Sequence, residues 1–281
     1  HVHVVIIGFG ASDRPGKIIY DYLNIDADPH PVPTANISPY LVAGPDVAIV
    51  NRSLPLCPSP DMGIGNKPID DGNYLFTTQE KNAFVKQEPG SKRFIKRFLG
   101  AADFISNVPR WCLWLGGTEP ADLRDYPAIV QRIKAVTRFR AASKSAPTRK
   151  LAGTPTRFHV EFVPTGSYLL IPRHSSEKRL YIPMGYLDKD TFPGDSCLVV
   201  PSASLYHFGV LTSGMHMAWV RQVCGRLKSD FRYSNKLVYN NFPWPQSLTE
   251  KQKAKVEAAA QGVLDARAKC KSQTLDDLYD P

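Results

Sequence analysis

Twenty-four prolines and 19 glycines are spread along the 281 residues, with no tract that concentrates them. A proline has no amide hydrogen and a fixed φ, so it is confined to helix starts, strand edges and turns. Their dispersal predicts a globular, loop-rich chain of short elements rather than a disordered or repetitive one. With 43% hydrophobic residues there is enough apolar surface for one large or two modest domains. No internal repeat is visible.

His1 to Gly8 is a nearly continuous β-branched run, which predicts a strand buried on both faces with Lys17 to Leu23 as its hairpin partner. Asp26 to Pro39 predicts an exposed connection and a domain boundary. Thr77 and Glu80 form a capping box for a short helix. Ser91 to Leu99 predicts a second, closed by Gly100. Pro120 opens a longer helix toward Ala142, whose exposed side and following residues carry Arg124, Arg132, Lys134, Arg138, Arg140 and Lys144. Short strands are expected at Tyr168–Pro172, Leu180–Met184, Leu198–Pro201 and Leu237–Tyr239. Leu205 to Leu227 reads as a central buried helix, and Thr249 caps a charged helix to about Cys270. The chain starts on His1 and ends inside what reads as a further element, Leu275 to Pro281, as a piece of a longer protein would.

The formal charge of +9 favours a polyanionic partner. The five cysteines are widely spaced, form no C-x-x-C pair and suit free thiols in a reducing cytoplasm. There is no signal peptide and no apolar run long enough to span a bilayer. Gly8-Phe9-Gly10 lacks the third glycine of a dinucleotide-binding turn and leads into the turn Asp13-Arg14-Pro15-Gly16. No carboxylate stands two positions before a lysine, as common metal-dependent nucleases require, and no H-E-x-x-H or G-x-S-x-G occurs. Asn241-Phe242-Pro243-Trp244 is a distorted version of the Asn-Pro-Pro-Tyr grip of amino-methyltransferases. Phe242 in place of the first proline makes core anchors the better reading.

Several stretches together resemble the MmeI-like (type IIL) restriction–modification enzymes and their adenine-methyltransferase relatives: HVHVVIIGF from His1, NISPYLV from Asn36, GNKPIDDG from Gly65, RWCLWL from Arg110, LLIPR from Leu169, Leu205 to Leu227, and YNNFPWP from Tyr239. The resemblance implies an α+β fold in three parts. Residues 1–35 would be the terminal strands of a methyltransferase sheet and a linker. Residues 36–245 would be a target-recognition domain of helices and short strands, and 246–281 the start of a C-terminal helical region. The parent would transfer a methyl group from S-adenosylmethionine to adenine N6 in double-stranded DNA, with the catalytic and cofactor motifs in an upstream methyltransferase domain. The fragment itself would hold no catalytic residue, cofactor or metal.

Bases in a major groove are read by Arg or Lys at guanine O6/N7 and by Asp or Glu at cytosine N4. By resemblance the base-reading residues are Lys228, Asp230 and Arg232, together with Arg173, Asp195 and Ser196. Arg173 and Asp195 would form a second cation–carboxylate pair. Taken alone, Lys228 and Asp230 also read as solvated charges near a helix C-terminus. Lys144, Arg149 and Lys150 suit phosphate contacts, or an ordinary basic face. Two other functions stay open: a nicotinamide-dependent oxidoreductase fragment built on the first strand, and a basic protein-interaction module.

Overall fold

The computed structural model describes residues 4–24 and 26–281. In chain order it contains β1 (Lys17–Asp21), β2 (His30–Thr34), β3 (Gly63–Ile64), β4 (Leu75–Thr77), α1 (Thr78–Gln87), β5 (Ile95–Leu99), α2 (Ala101–Ile105), β6 (Arg110–Leu113), α3 (Pro127–Ala141) and α4 (Ala146–Lys150). There follow β7 (Tyr168–Pro172), β8 (His174–Ser175), β9 (Gly185–Leu187), β10 (Thr191–Pro193), β11 (Cys197–Pro201), α5 (Leu205–Leu211), α6 (Gly214–Val223), β12 (Gly225–Leu227), β13 (Asp230–Arg232), α7 (Glu250–Lys269) and α8 (Leu275–Tyr279). The fold is α+β. Its strands form four small sheets, ordered β1-β2, β10-β5-β6-β4, β3-β11-β7-β9 and β12-β13-β8.

Two cores organise it. In the antiparallel pair β7–β11 both faces are covered, so every residue of β7 is buried. Leu169, Ile171, Leu198 and Val200 point into the larger core with Phe208, Met217, Val220, Tyr239, Phe242 and Trp244. The alternate residues Tyr168, Leu170, Cys197 and Val199 fill a smaller cluster on the other face. The second large core gathers Tyr74, Phe76, Phe98, Leu113, Ile129, Val136, Phe158 and Phe192 around β4, β6 and α3.

The GNKPIDDG stretch joins the cores. A Cβ on Gly65 would lie 2.2 Å from the Gly194 carbonyl oxygen, so only glycine fits there. Asn66 is fully buried; its amide donates to the Phe162 and Pro193 carbonyls and its oxygen accepts the Phe162 amide. Arg140 is also fully buried, not on the exposed side of its helix. Its five N–H donors are spent on the carbonyls of Pro68, Ile69, Leu151, Thr154 and Arg157. Arg132 likewise turns inward, donating to the Asn73 carbonyl and lying over the Phe76 and Phe84 rings.

Other expectations change for physical reasons. His1, Val2 and His3 of the expected first strand lie outside the described residues, while Val4 to Gly8 are exposed and irregular, and β1 pairs with β2 instead. Ser91 to Leu99 has apolar residues at helical spacing. Its second half nevertheless becomes β5, because β6 and β10 supply ladders on both edges. Gly100 then starts α2 rather than closing a helix. The longer helix begins at Pro127, after a 3-10 turn at Pro120–Leu123. Pro183 interrupts the strand expected at Leu180–Met184, and pairing begins only at Gly185. The helix expected over Leu205 to Leu227 is split: the Ser213 hydroxyl donates to the Val210 carbonyl and accepts the His216 amide, ending α5 and capping α6. Leu237–Tyr239 lies in a π-helical turn, Asn235–Tyr239, not a strand. The capping box at Thr77 forms as expected, and Thr249 caps α7 as expected, in a capping box with Gln252.

Candidate nucleic-acid interface

The polypeptide leaving α6 folds into a hairpin, and the hairpin docks on β8. Arg226 pairs with Phe231 and Leu227 with Asp230 across a two-residue turn. On the far edge of β13, Arg232 pairs with His174 and Phe231 with Ser175. Strand alternation sends Phe231 into the core, 2% exposed, and leaves Asp230 and Arg232 outside on one face. Directly cross-strand residues share a face, so Gly225, Arg232 and His174 form one outward row and Leu227 with Asp230 the next. Lys228 occupies the turn itself at φ 57°, a conformation that favours glycine or asparagine. It does not share the strand alternation of Asp230 and Arg232.

Beneath this face, Tyr233 donates its amide to the Arg173 carbonyl. The Tyr233 hydroxyl and His216 Nε2 lie 2.9 Å apart in full burial. Desolvation pushes the His216 pKa down to about 3, so this imidazole is neutral at ordinary pH. One Asp230 oxygen accepts the Glu177 amide and so ties down the loop after β8.

Arg173, between β7 and β8, donates its amide to the Ser196 carbonyl and its guanidinium to the Asp195 carbonyl, at 2.9 Å each. The expected Arg173–Asp195 pair is thus a guanidinium on a main-chain oxygen. The Asp195 carboxylate faces Lys67 instead, at 3.8 Å. The Ser196 hydroxyl accepts the Ala101 amide, so its oxygen is partly engaged within the fold. Burial first, then the Arg173 and Arg232 guanidinia, hold the His174 pKa below its ordinary value against the opposing pull of Asp230. Beside the row runs a cleft of about 450 Å³, lined by Asp103, Ser106, His174, Arg179, Ser196 and Asp276. Arg179 bridges to Asp276 and Asp280, tying the end of the chain to the loop after β8.

Five of the six expected base-contact residues therefore converge through two strand pairings and one backbone bond, and Lys228 stands at the adjoining turn. Lys144, Arg149 and Lys150 form a separate, exposed group around α4. There Arg149 donates to the Ser143 and Lys144 carbonyls, so part of its capacity is spent locally. His174 and Lys67 escaped the sequence reading, although both stand in or beside quoted stretches. Their signal was adjacency to Arg173 and to Asn66.

The residues nearest to catalytic patterns are used otherwise. Asn241 gives its amide to the carbonyls of Val50, Lys236 and Leu237, and Phe242 and Trp244 are buried. Gly8 and Gly10 lie in an exposed segment that, among the described residues, neither a strand nor a helix adjoins. No helix among them is long and apolar enough to cross a membrane.

Comparison with known proteins gives a consistent result. The family described as the MmeI target recognition domain matches residues 43–246, and the MmeI C-terminal domain matches residues 248–281. The chain is 38% identical over 280 residues to DNA methyltransferase A of Bacillus subtilis (strain 168), covering 100% of this chain and 31% of that protein. It is also similar to the solved structure of the type IIL restriction–modification enzyme MmeI in complex with DNA. There the identity is 45% and the TM-score 0.92, over 96% of this chain and 36% of that one. The chain thus spans about a third of the length of these relatives. With a matching profile over most of its length and a shared fold, the chain belongs to the MmeI target recognition domain family, continued by an MmeI C-terminal segment.

Proposed function

We propose that this chain reads the sequence of double-stranded DNA for a site-specific adenine-N6 methyltransferase of the restriction–modification kind. The observation that carries the reading is the β8–β13 pairing. It brings the exposed Asp230 and Arg232 next to Arg173, far from them in sequence, which together with Asp195 and Ser196 is half-buried at the same edge. Donors and acceptors of both signs on stiff strands suit the mixed pattern of base edges in a major groove. Lys228 at the turn joins them, donating to guanine while Asp230 accepts from the paired cytosine N4. Lys144, Arg149 and Lys150 contact phosphates, which fix position without reading sequence. The relation to a DNA methyltransferase and to a DNA-bound restriction–modification enzyme supports the same reading.

S-adenosylmethionine would be the methyl donor of the full-length protein. The residues of this chain that come nearest an amine grip, Asn241 to Trp244, are spent on packing and do not fit that role. The methyl-transfer step therefore belongs to the rest of the full-length protein, joined to this chain as an upstream domain.

The test is the pattern of N6-methyladenine left in cellular DNA by the full-length protein. One defined sequence is expected, degraded when Arg173→Ala and Arg232→Ala are combined. Methylation without sequence preference, or a preference untouched by both changes, overturns the reading.

A further inference from the structure

His174 is the outward residue of β8, next in the chain to Arg173 and directly cross-strand from Arg232. Its side chain is exposed, and no hydrogen bond to it is found among the described residues. At the other end of the row Gly225 has no side chain, and a Cβ built there meets nothing within 4 Å. The row is therefore open to a ligand over its whole width.

Without His174 the row itself offers only the Arg232 guanidinium, with Arg173 next in the chain; the Asp230 carboxylate on this face belongs to the adjoining row and already accepts the Glu177 amide on one oxygen. Guanidinium groups only donate hydrogen bonds, so Arg173 and Arg232 satisfy acceptors such as guanine O6 and N7. They can take nothing from an exocyclic amine. A neutral imidazole offers one donor and one acceptor. The two flanking guanidinia and partial burial keep His174 in that neutral form near pH 7.

We propose that His174 is a further specificity-determining residue of this face, whose ring nitrogen accepts a hydrogen bond from the exocyclic amine of an adenine or cytosine in the major groove. The inference rests on the DNA-reading function above. It predicts one position of the recognised sequence at which an amine-bearing base is preferred because of this side chain.

The experiment measures base preference at every position by competition binding of the full-length protein to a randomised duplex library. His174→Ala should reduce discrimination at a single position by about fivefold, the effect of one lost hydrogen bond. His174→Gln, which keeps an acceptor, should retain most of it. His174→Arg, which only donates, should shift the preferred base there toward guanine or thymine. Unchanged preferences in His174→Ala overturn the inference, as does a uniform loss across all sequences, the mark of a phosphate contact. Arg232→Ala separates the two levels. If it alters a preference and His174→Ala does not, the inference fails and the function stands; if neither alters any, the function itself fails.

Discussion

The basic loop around α4 and the face built by β8 and β13 are both rich in cations, yet they use them in opposite ways. Around α4 the chain runs through one short helix and a 3-10 turn, which leave carbonyl groups without partners. Arginines close carbonyls here and beyond: Arg140 of α3 takes those of Leu151 and Thr154 together with Arg157, Pro68 and Ile69, and Arg149 takes those of Ser143 and Lys144 just before α4. On β8 and β13 the strand ladder satisfies the main chain, so Arg232 and His174 remain available at the surface. The state of the nearby backbone, more than residue type, decides whether an arginine is architecture or contact.

The largest expected effect tests the architectural side. Arg140→Met should lower stability by at least about 3 kcal/mol, because five buried carbonyls lose their donors. Denaturant unfolding of the full-length protein checks this, and an unmoved midpoint would break the contrast. On the contact side, Lys228→Glu combined with Asp230→Arg should invert one G·C preference, a change of about 1–3 kcal/mol in discrimination. Stability should fall by only about 1 kcal/mol, from the lost Glu177 amide bond. Altered methylation at several positions at once would count against a turn cation and a strand carboxylate acting locally.

The contact face also depends on its neutral support. His216 has a folded pKa of about 3 against 6.5 in the unfolded chain. The unfolded state therefore binds the extra proton first, and the stabilisation present above pH 6.5 is lost as pH falls toward 3. At pH 5 the loss is roughly 2 kcal/mol. Comparing the native protein with His216→Leu at pH 7.5 and pH 5 should show their stability difference narrowing by about that amount; a constant difference would contradict a neutral buried ring. The smallest effect concerns Lys150, which is exposed and lacks the local bonds of Arg149. Lys150→Ala should flatten the salt dependence of DNA binding by about 0.9 in log–log slope, with base preference intact. An unchanged slope would remove Lys150 from the phosphate contacts.

Much of the frame was legible in the sequence because the signals were local. Thr77 with Glu80 satisfies amides three residues apart, Thr249 caps the helix that follows it, and β7 and β11 are short apolar runs of strand length. What was hidden depended on distant partners. Nothing within Ser91 to Leu99 announces that β10, some ninety residues later, will pair with it. Arg140 looks like any cation on a helix until Pro68 and Arg157 come near enough to accept from it. Within the candidate site, resemblance supplied Arg173, Asp195, Ser196, Lys228, Asp230 and Arg232. The register that sets His174 opposite Arg232, and the turn that removes Lys228 from the strand, needed the fold.

The chain passes between its two large cores four times: from Ile64 to Tyr74, from Phe158 to Leu169, from Tyr186 to Phe192, and from Phe192 to Leu198. At the first and fourth passages Gly65 lies against Gly194 with no space for a side chain, and Asn66 is bonded to the second and fourth. Neither core can open without stripping backbone bonds from the other, so the two melt as one cooperative unit rather than as independent lobes. A partner that grips either side therefore stabilises both, and damage at Arg140 is felt as far away as β13.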